Sequence, residues 1–198
     1  MPVRPLAKTM LLAIVVAIAS LAGPSASSAT SWSTVGSTYV LDSSDLTFSV
    51  AAVSSSWTCT AVQMHVDVTS IDLITVTNAD FLRDCHGAGA ASGCTVTPKA
   101  TGLHWTMTAP KKDDVTIHGI KIDFTFETRP PPDPQACTFL GVTFNVTGTL
   151  GPGTWHEGLH ETTFTNAPGL TAHIPAFGSV PVLVTGTFKD TAQTLSLT

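Results

Sequence analysis

The chain has 198 residues, of which 43% are hydrophobic and 12% charged, and its formal net charge at pH 7 is −5. This length suits one domain with a sizeable core behind a short leader. The acidic balance argues against nucleic acid as a partner, because an acidic surface repels the phosphate backbone.

The N-terminal residues have the layout of an export signal. Arg4 and Lys8 form a short basic region, residues 10–22 are almost wholly apolar, and Ser27 and Ala29 suit the −3 and −1 positions of a cleavage site. The alternative is a retained membrane anchor. It is disfavoured because the apolar run is shorter than the about 20 residues of a membrane-spanning helix. We predict a signal peptide over residues 1–29, cleavage after Ala29 and a product that does not span the membrane.

The remaining residues, 30–198, are predicted to form a single secreted domain, extracellular or in the cell envelope, with two disulfides. Exported chains with an even number of cysteines usually pair them, and none of the four is spaced as CxxC, which disfavours a thiolate metal site or a redox motif. Three pairings are open, and loop-closure entropy does not separate them. We predict the two that would join neighbouring strands: Cys59–Cys85 and Cys94–Cys137.

Alternation of apolar and polar residues runs through most of this domain. In one run Ile120, Ile122, Phe124 and Phe126 alternate with polar residues, which indicates a strand with one face in the core and one in solvent. Frequent short strands separated by turn residues predict an antiparallel β-sandwich, jelly-roll-like or immunoglobulin-like, with a closed β-barrel as the alternative. Similar runs occur at residues 62–68, 103–107, 142–146 and 182–184.

Three segments depart from this alternation. Residues 78–84 are the best candidate for a short helix. The alternation changes phase at His118-Gly119, which predicts a β-bulge there, because a one-residue slip would otherwise turn the later side chains away from the core. Residues 129–135, RPPPDPQ, predict an exposed loop, because proline has no backbone N–H to donate within a sheet.

His156, Glu157 and His160 form the pattern HExxH. On a helix the two His residues would share a face and bind zinc, and the Glu would act as general base on a zinc-bound water. A helix is disfavoured, because residues 151–153 are Gly-Pro-Gly and Gly158 lies inside the pattern. The sequence also lacks a third ligand at a suitable later spacing. A zinc-dependent hydrolase is therefore the alternative function, with zinc as the candidate cofactor.

The competing interpretation is a β-hairpin with Glu157-Gly158 as a two-residue turn, in which Gly can adopt a positive φ. Trp155 would then lie opposite His160, and the two His residues would point to opposite faces, where they cannot share a metal ion. Trp155 would flank the turn and is the predicted surface aromatic residue. This interpretation assigns no catalytic and no metal-binding residue.

Two groups of motifs resemble small, uncharacterised exported β-proteins of actinobacteria. The first comprises CTAV from Cys59, NADFLRDC ending at Cys85 and CTVTPKATGLHWTMTA from Cys94. The second comprises CTFLGVTFNVTGTL from Cys137, followed by TFTNAP and a late VTGTF. The segment FLRDC is one residue longer than the Phe-x-x-Cys element of those proteins. The resemblance implies an all-β fold, export from a bacterial cell and a hairpin over residues 154–164, and it transfers no catalytic residue.

These features together predict an exported, non-catalytic binding domain or cell-envelope component whose ligand the sequence does not name. The first alternative is the zinc hydrolase that would use His156, Glu157 and His160. The second is a structural role in the envelope, which would show itself as self-association.

Overall fold

A computed structural model describes residues 30–128 and 136–198 of the chain. The predicted leader, with its cleavage site after Ala29, and the proline-rich segment 129–135 lie outside the described residues. Within the two described ranges there is no α-helix, and so no helix that is long and apolar enough to cross a membrane. The strands are β1 (Thr38–Ser43), β2 (Leu46–Val50), β3 (Ser55–Cys59), β4 (Val62–Ser70), β5 (Leu73–Phe81), β6 (Cys85–Gly89), β7 (Cys94–Ala100), β8 (Trp105–Thr108), β9 (Val115–Thr128), β10 (Thr143–His156), β11 (Glu161–Ile174) and β12 (Gly178–Asp190), with one 3-10 turn at Ala51–Val53.

The last four strands are the longest, with 13 or 14 residues each. They pair in chain order, β9 to β10 to β11 to β12, and every pairing is antiparallel. Their apolar residues alternate along each strand, and they form a continuous layer with one face in the core.

The opposite layer is built from pairs of short strands that lie in line. β1 and β2 both run along β12, with Leu41 opposite Asp190 and Thr47 opposite Thr185. β8 and β7 both run along β9, and β4 with β3 and β5 with β6 fill the positions between. The sheet therefore folds over into a sandwich-like body. At both sides the two layers are joined by strand pairing, at β12 and at β9, and a closed barrel would share this continuous pairing. The links between the in-line strands are called the seam: residues 44–45, 60–61, 82–84 and 101–104.

The predicted bulge at His118-Gly119 is confirmed. Gly148 lies opposite Ile120 and Leu150 lies opposite Ile117, so two residues of β9 face one residue of β10. Gly119 has a φ of +76°, which glycine adopts without a steric penalty. The extra residue returns Ile120 to the core face that Ile117 occupies, and both are buried.

The helix expected over residues 78–84 is wrong. β5 continues as a strand through Asn78 to Phe81, paired with β4 and with Phe81 opposite Val62. A helix this short is marginal on its own, whereas a strand in this position forms backbone hydrogen bonds with its neighbour β4.

One core runs through the body, and Trp57 of β3 lies near its centre. Its ring contacts Phe124, Phe126 and Phe144 of the long strands, with centroids 5.0 to 5.8 Å apart. Both predicted disulfides are present: Cys59–Cys85 joins β3 to β6, and Cys94–Cys137 joins β7 to the segment before β10. Each closes a loop whose entropy in the unfolded chain is worth about 3.5–4 kcal/mol. The predicted antiparallel, sandwich-like fold with two disulfides is confirmed.

Candidate functional site

The HExxH residues lie on a β-hairpin. His156 is the last residue of β10 and pairs with Glu161, the first residue of β11. The expected two-residue turn is wrong, because the turn spans residues 157–160 and Trp155 lies opposite Thr162. The longer turn closes through a hydrogen bond from Leu159 N–H to the His156 carbonyl at 3.1 Å.

The Glu157 carboxylate is occupied by donors from the protein itself. Its Oε2 accepts the indole N–H of Trp155 at 2.7 Å and the backbone N–H of Leu197 at 2.9 Å. The ammonium of Lys112 lies 4.0 Å from the same oxygen. The carboxylate therefore connects the hairpin to the C-terminal segment of the chain through one of its two oxygens.

The two His residues do not converge. His160 Nδ1 donates to the carbonyl oxygen of Leu195 at 2.7 Å, while His156 is exposed on the strand before the turn. Among residues 30–128 and 136–198, no three His, Cys, Asp or Glu side chains are grouped so as to hold a metal ion. The geometry of the candidate residues His156, Glu157 and His160 therefore gives the zinc alternative no support.

Asp190 is a second carboxylate that binds the C-terminal segment. Its buried carboxylate accepts the backbone N–H groups of Ala192 at 3.0 Å and of Thr194 and Leu195 at 2.7 Å. Burial raises the pKa of Asp190, but these backbone hydrogen bonds lower it by more, so the pKa lies below its ordinary value. The turn that they form directs Leu195 into the core.

The prediction of Trp155 as a surface aromatic is wrong, because its side chain is 3% exposed. It packs edge-to-face against Trp32, with ring centroids 5.4 Å apart. Trp32 pairs with Leu197, so both chain ends of the described domain cover Trp155. The sequence pattern correctly predicted Trp155 beside the turn, but it did not reveal that the two chain ends lie over this side chain.

A cavity that the sequence did not reveal lies at the level of the seam, between the two layers. Its volume is about 20 Å³, which is room for little more than one water molecule, and every described side chain that lines it is apolar. The Trp105 indole N–H is directed to the Thr101 carbonyl oxygen, 3.4 Å away. The wall from the short strands includes Leu46, Phe48, Val62, Met64, Ala79, Phe81 and Trp105; that from the long strands includes Ile117, Ile120, Ile122, Leu150, Leu170 and Phe188.

Val62 lies between this cavity and a depression on the surface. Val62 lines the cavity and also lines a surface depression formed by the seam. Val62 itself is 2% exposed, and the depression carries polar side chains that include Gln63 and Lys189. A movement of Val62 would connect the apolar interior to a polar surface.

No protein-family model, no curated protein and no solved structure matches the chain.

Proposed function

We propose that the chain is an exported, non-catalytic binding protein whose ligand is a slender apolar molecule, or the alkyl tail of an amphiphile, which enters between the two layers at the cavity. The observation that carries this proposal is the wholly apolar lining of the cavity, which has a volume of about 20 Å³ and would widen to admit the ligand as the two layers move apart. Apolar cavities in proteins stay dry and take up apolar molecules, because burial removes hydrocarbon surface from water.

The depression beside Val62 suits the polar end of an amphiphile. It lies directly outside the cavity wall, and Lys189 and Gln63 supply hydrogen-bond donors there. The tail would lie among Ile117, Ile120 and Phe188, and a carboxylate or hydroxyl would stay in water. In this arrangement the polar group of the ligand would not be buried without a hydrogen-bond partner, which would be unfavourable.

The non-catalytic part of the proposal is supported by how the candidate catalytic groups are used. Glu157 and His160 are each hydrogen-bonded to the C-terminal segment. The described lining of the cavity is composed of hydrocarbon, a Met thioether and an indole, none of which serves as a general acid or base at neutral pH.

Export is supported by two independent features. The N-terminal residues have the composition of a signal peptide, and the two disulfides are typical of extracellular proteins. The resemblance to exported actinobacterial β-proteins agrees with both, and association with the cell envelope is the form of export that we favour.

Calorimetric titration with decanoic acid tests the proposal. We expect binding with a negative change in heat capacity, which marks the burial of apolar surface. Ala79 lines the cavity, so the larger side chain in Ala79→Leu should occupy the space that the ligand needs and weaken binding at least about tenfold, equivalent to about 1.4 kcal/mol. Ala88→Leu is the matched control, because Ala88 is exposed on β6.

Two results would contradict the proposal. One is the absence of binding to the folded wild-type protein by decanoic acid and by the corresponding alcohol and alkane. The other is equal weakening by Ala79→Leu and Ala88→Leu. Thermal unfolding of each variant shows whether the fold is retained, and we expect Ala79→Leu to stay folded with a loss of about 1–3 kcal/mol, because its three added carbons exceed the about 20 Å³ available.

A further inference from the structure

The depression beside Val62 contains a row of polar side chains from three strands. Gln63 of β4 lies opposite Asp42 of β1, and Asp42 lies opposite Lys189 of β12. Directly opposite side chains on neighbouring strands start about 5 Å apart. These three residues are called the polar row. The depression has a volume of about 320 Å³, and the exposed Leu82 of the seam also lines it, so a small head group fits between the polar row and an apolar side chain.

The charges in and beside the polar row do not favour an anion. Lys189 has an acid opposite it on each side, Asp42 on β1 and Glu161 on β11. Across the two described ranges no ion pair joins Lys189 to either acid, so its ammonium can donate to a ligand. Asp80 lies opposite Gln63, and the charges of Arg83-Asp84 in the seam offset each other. The depression therefore has no excess of positive charge that would attract a carboxylate.

The polar row supplies hydrogen-bond donors and acceptors together. Lys189 only donates, the Asp42 carboxylate only accepts, and the Gln63 amide does both. The Thr191 hydroxyl donates to Asp42 Oδ2 at 3.3 Å, so a ligand would donate to Oδ1. A hydroxyl can pair with each of the three side chains, whereas a carboxylate only accepts and would be repelled by Asp42. A quaternary ammonium favours aromatic rings, and the described lining of the depression has none.

We propose that the depression selects an uncharged head group with several hydroxyls, such as that of a glycerol ester, over a carboxylate or a zwitterion. This inference rests on the proposed function, since the alkyl tail still enters at the cavity, and it names the class of amphiphile. One hydroxyl would accept from Lys189 and its neighbour would donate to Asp42, which lies directly opposite. Leu82 would cover the first carbons of the tail.

Calorimetric titration with ligands of equal tail length tests the inference. The ligands are 1-decanoylglycerol, decylphosphocholine and decanoate, at about pH 8 where the carboxylate is ionised. In the wild type we expect 1-decanoylglycerol to bind about tenfold more tightly than decanoate, and decylphosphocholine to bind no better than decanoate.

Asp42→Asn separates the head group from the tail. It removes the charge that opposes a carboxylate and should raise the affinity for decanoate about fivefold, while the affinity for 1-decanoylglycerol should change less than about twofold. Asp113→Asn is the matched control, because it removes the same charge from an exposed turn and should change neither affinity. Thermal unfolding should show both variants folded, since Asn at position 42 keeps an acceptor oxygen for Thr191.

Three outcomes would overturn the inference. The first is wild-type binding of decanoate or decylphosphocholine as tight as that of 1-decanoylglycerol. The second is an unchanged affinity of Asp42→Asn for decanoate, and the third is an equal gain in Asp113→Asn, which would indicate an effect of net charge alone. Decane and decanol distinguish the two proposals: if neither binds, the proposed function fails as well, and if they bind while the glycerol ester has no advantage, only the head-group inference fails.

Discussion

The carboxylate of Glu157 accepts the backbone N–H of Leu197 at 2.9 Å, across 40 residues of sequence. The same oxygen accepts the indole N–H of Trp155. Both donors belong to buried residues, so Glu157→Ala would leave two buried N–H groups unpaired and should lower the free energy of unfolding by about 2 kcal/mol. Urea unfolding measures this. His156→Ala is the control and should stay within about 0.5 kcal/mol, because His156 is exposed. Equal losses in the two variants would contradict the assignment.

The metal content of the protein is a second prediction from the same hairpin. Because His160 donates to Leu195 and His156 is exposed away from it, we expect no stoichiometric zinc in protein purified without a metal-binding tag. We also expect a chelator to leave the unfolding temperature unchanged. About one zinc per chain, lost in His156→Ala, would show that the hairpin rearranges into a metal site and would revive the hydrolase alternative.

Asp190 should make stability depend on pH at the acid end of the range. Its pKa is lower in the folded than in the unfolded chain, since the backbone hydrogen bonds outweigh burial. Its contribution is therefore fully present above the ordinary carboxyl value of about 3.9 and is lost as pH falls through the lower folded value.

Asp190→Asn tests that contribution. The variant keeps one acceptor oxygen and replaces the other with an NH2 group, so at least one of the backbone N–H groups of Ala192, Thr194 and Leu195 would face a donor, and we expect a loss of about 2 kcal/mol at pH 7. Urea unfolding from pH 7 to pH 2 should show the gap to the wild type narrowing only below about pH 4. Asp113→Asn, at an exposed position, is the control. A gap that is constant down to pH 2 would contradict the role of the ionised carboxylate.

The sequence predicted features that depend on neighbours along the chain. Alternation through Ile120 and Phe126 gave the buried face of β9, and the phase change located the bulge at Gly119. The two disulfides followed from the expectation that cysteines join neighbouring strands. The contacts of Glu157 and His160 with the C-terminal segment, and the cavity, depend instead on strand register and chain-end placement. Alternation identifies which side chains point inward, but it does not say whether they fill the space between the layers.

Substitutions at two glycines would measure the cost of backbone strain and the cost of a steric clash separately. A Cβ at Gly119 would meet no atom within 4 Å, so Gly119→Ala should cost about 1 kcal/mol, for the positive φ alone. A Cβ at Gly169, also at positive φ, would collide with the carbonyl oxygen of Thr149, and Gly169→Ala should cost more than about 3 kcal/mol. Thermal or urea unfolding of the two variants gives the comparison, and equal costs would mean that the close approach of β10 and β11 is wrong.

The cavity as a ligand site is the central claim, and methyl NMR of isoleucine-labelled protein tests it most directly. Ile117, Ile120 and Ile122 line the cavity. The other isoleucines of the described residues give internal controls: Ile71 is exposed, and Ile74 and Ile174 are buried outside the lining. On addition of decanoic acid we predict saturable shifts of the Ile117, Ile120 and Ile122 methyl signals, with the other three nearly unchanged. Saturable shifts at Ile174 alone, or no shift at the three cavity residues, would contradict the account.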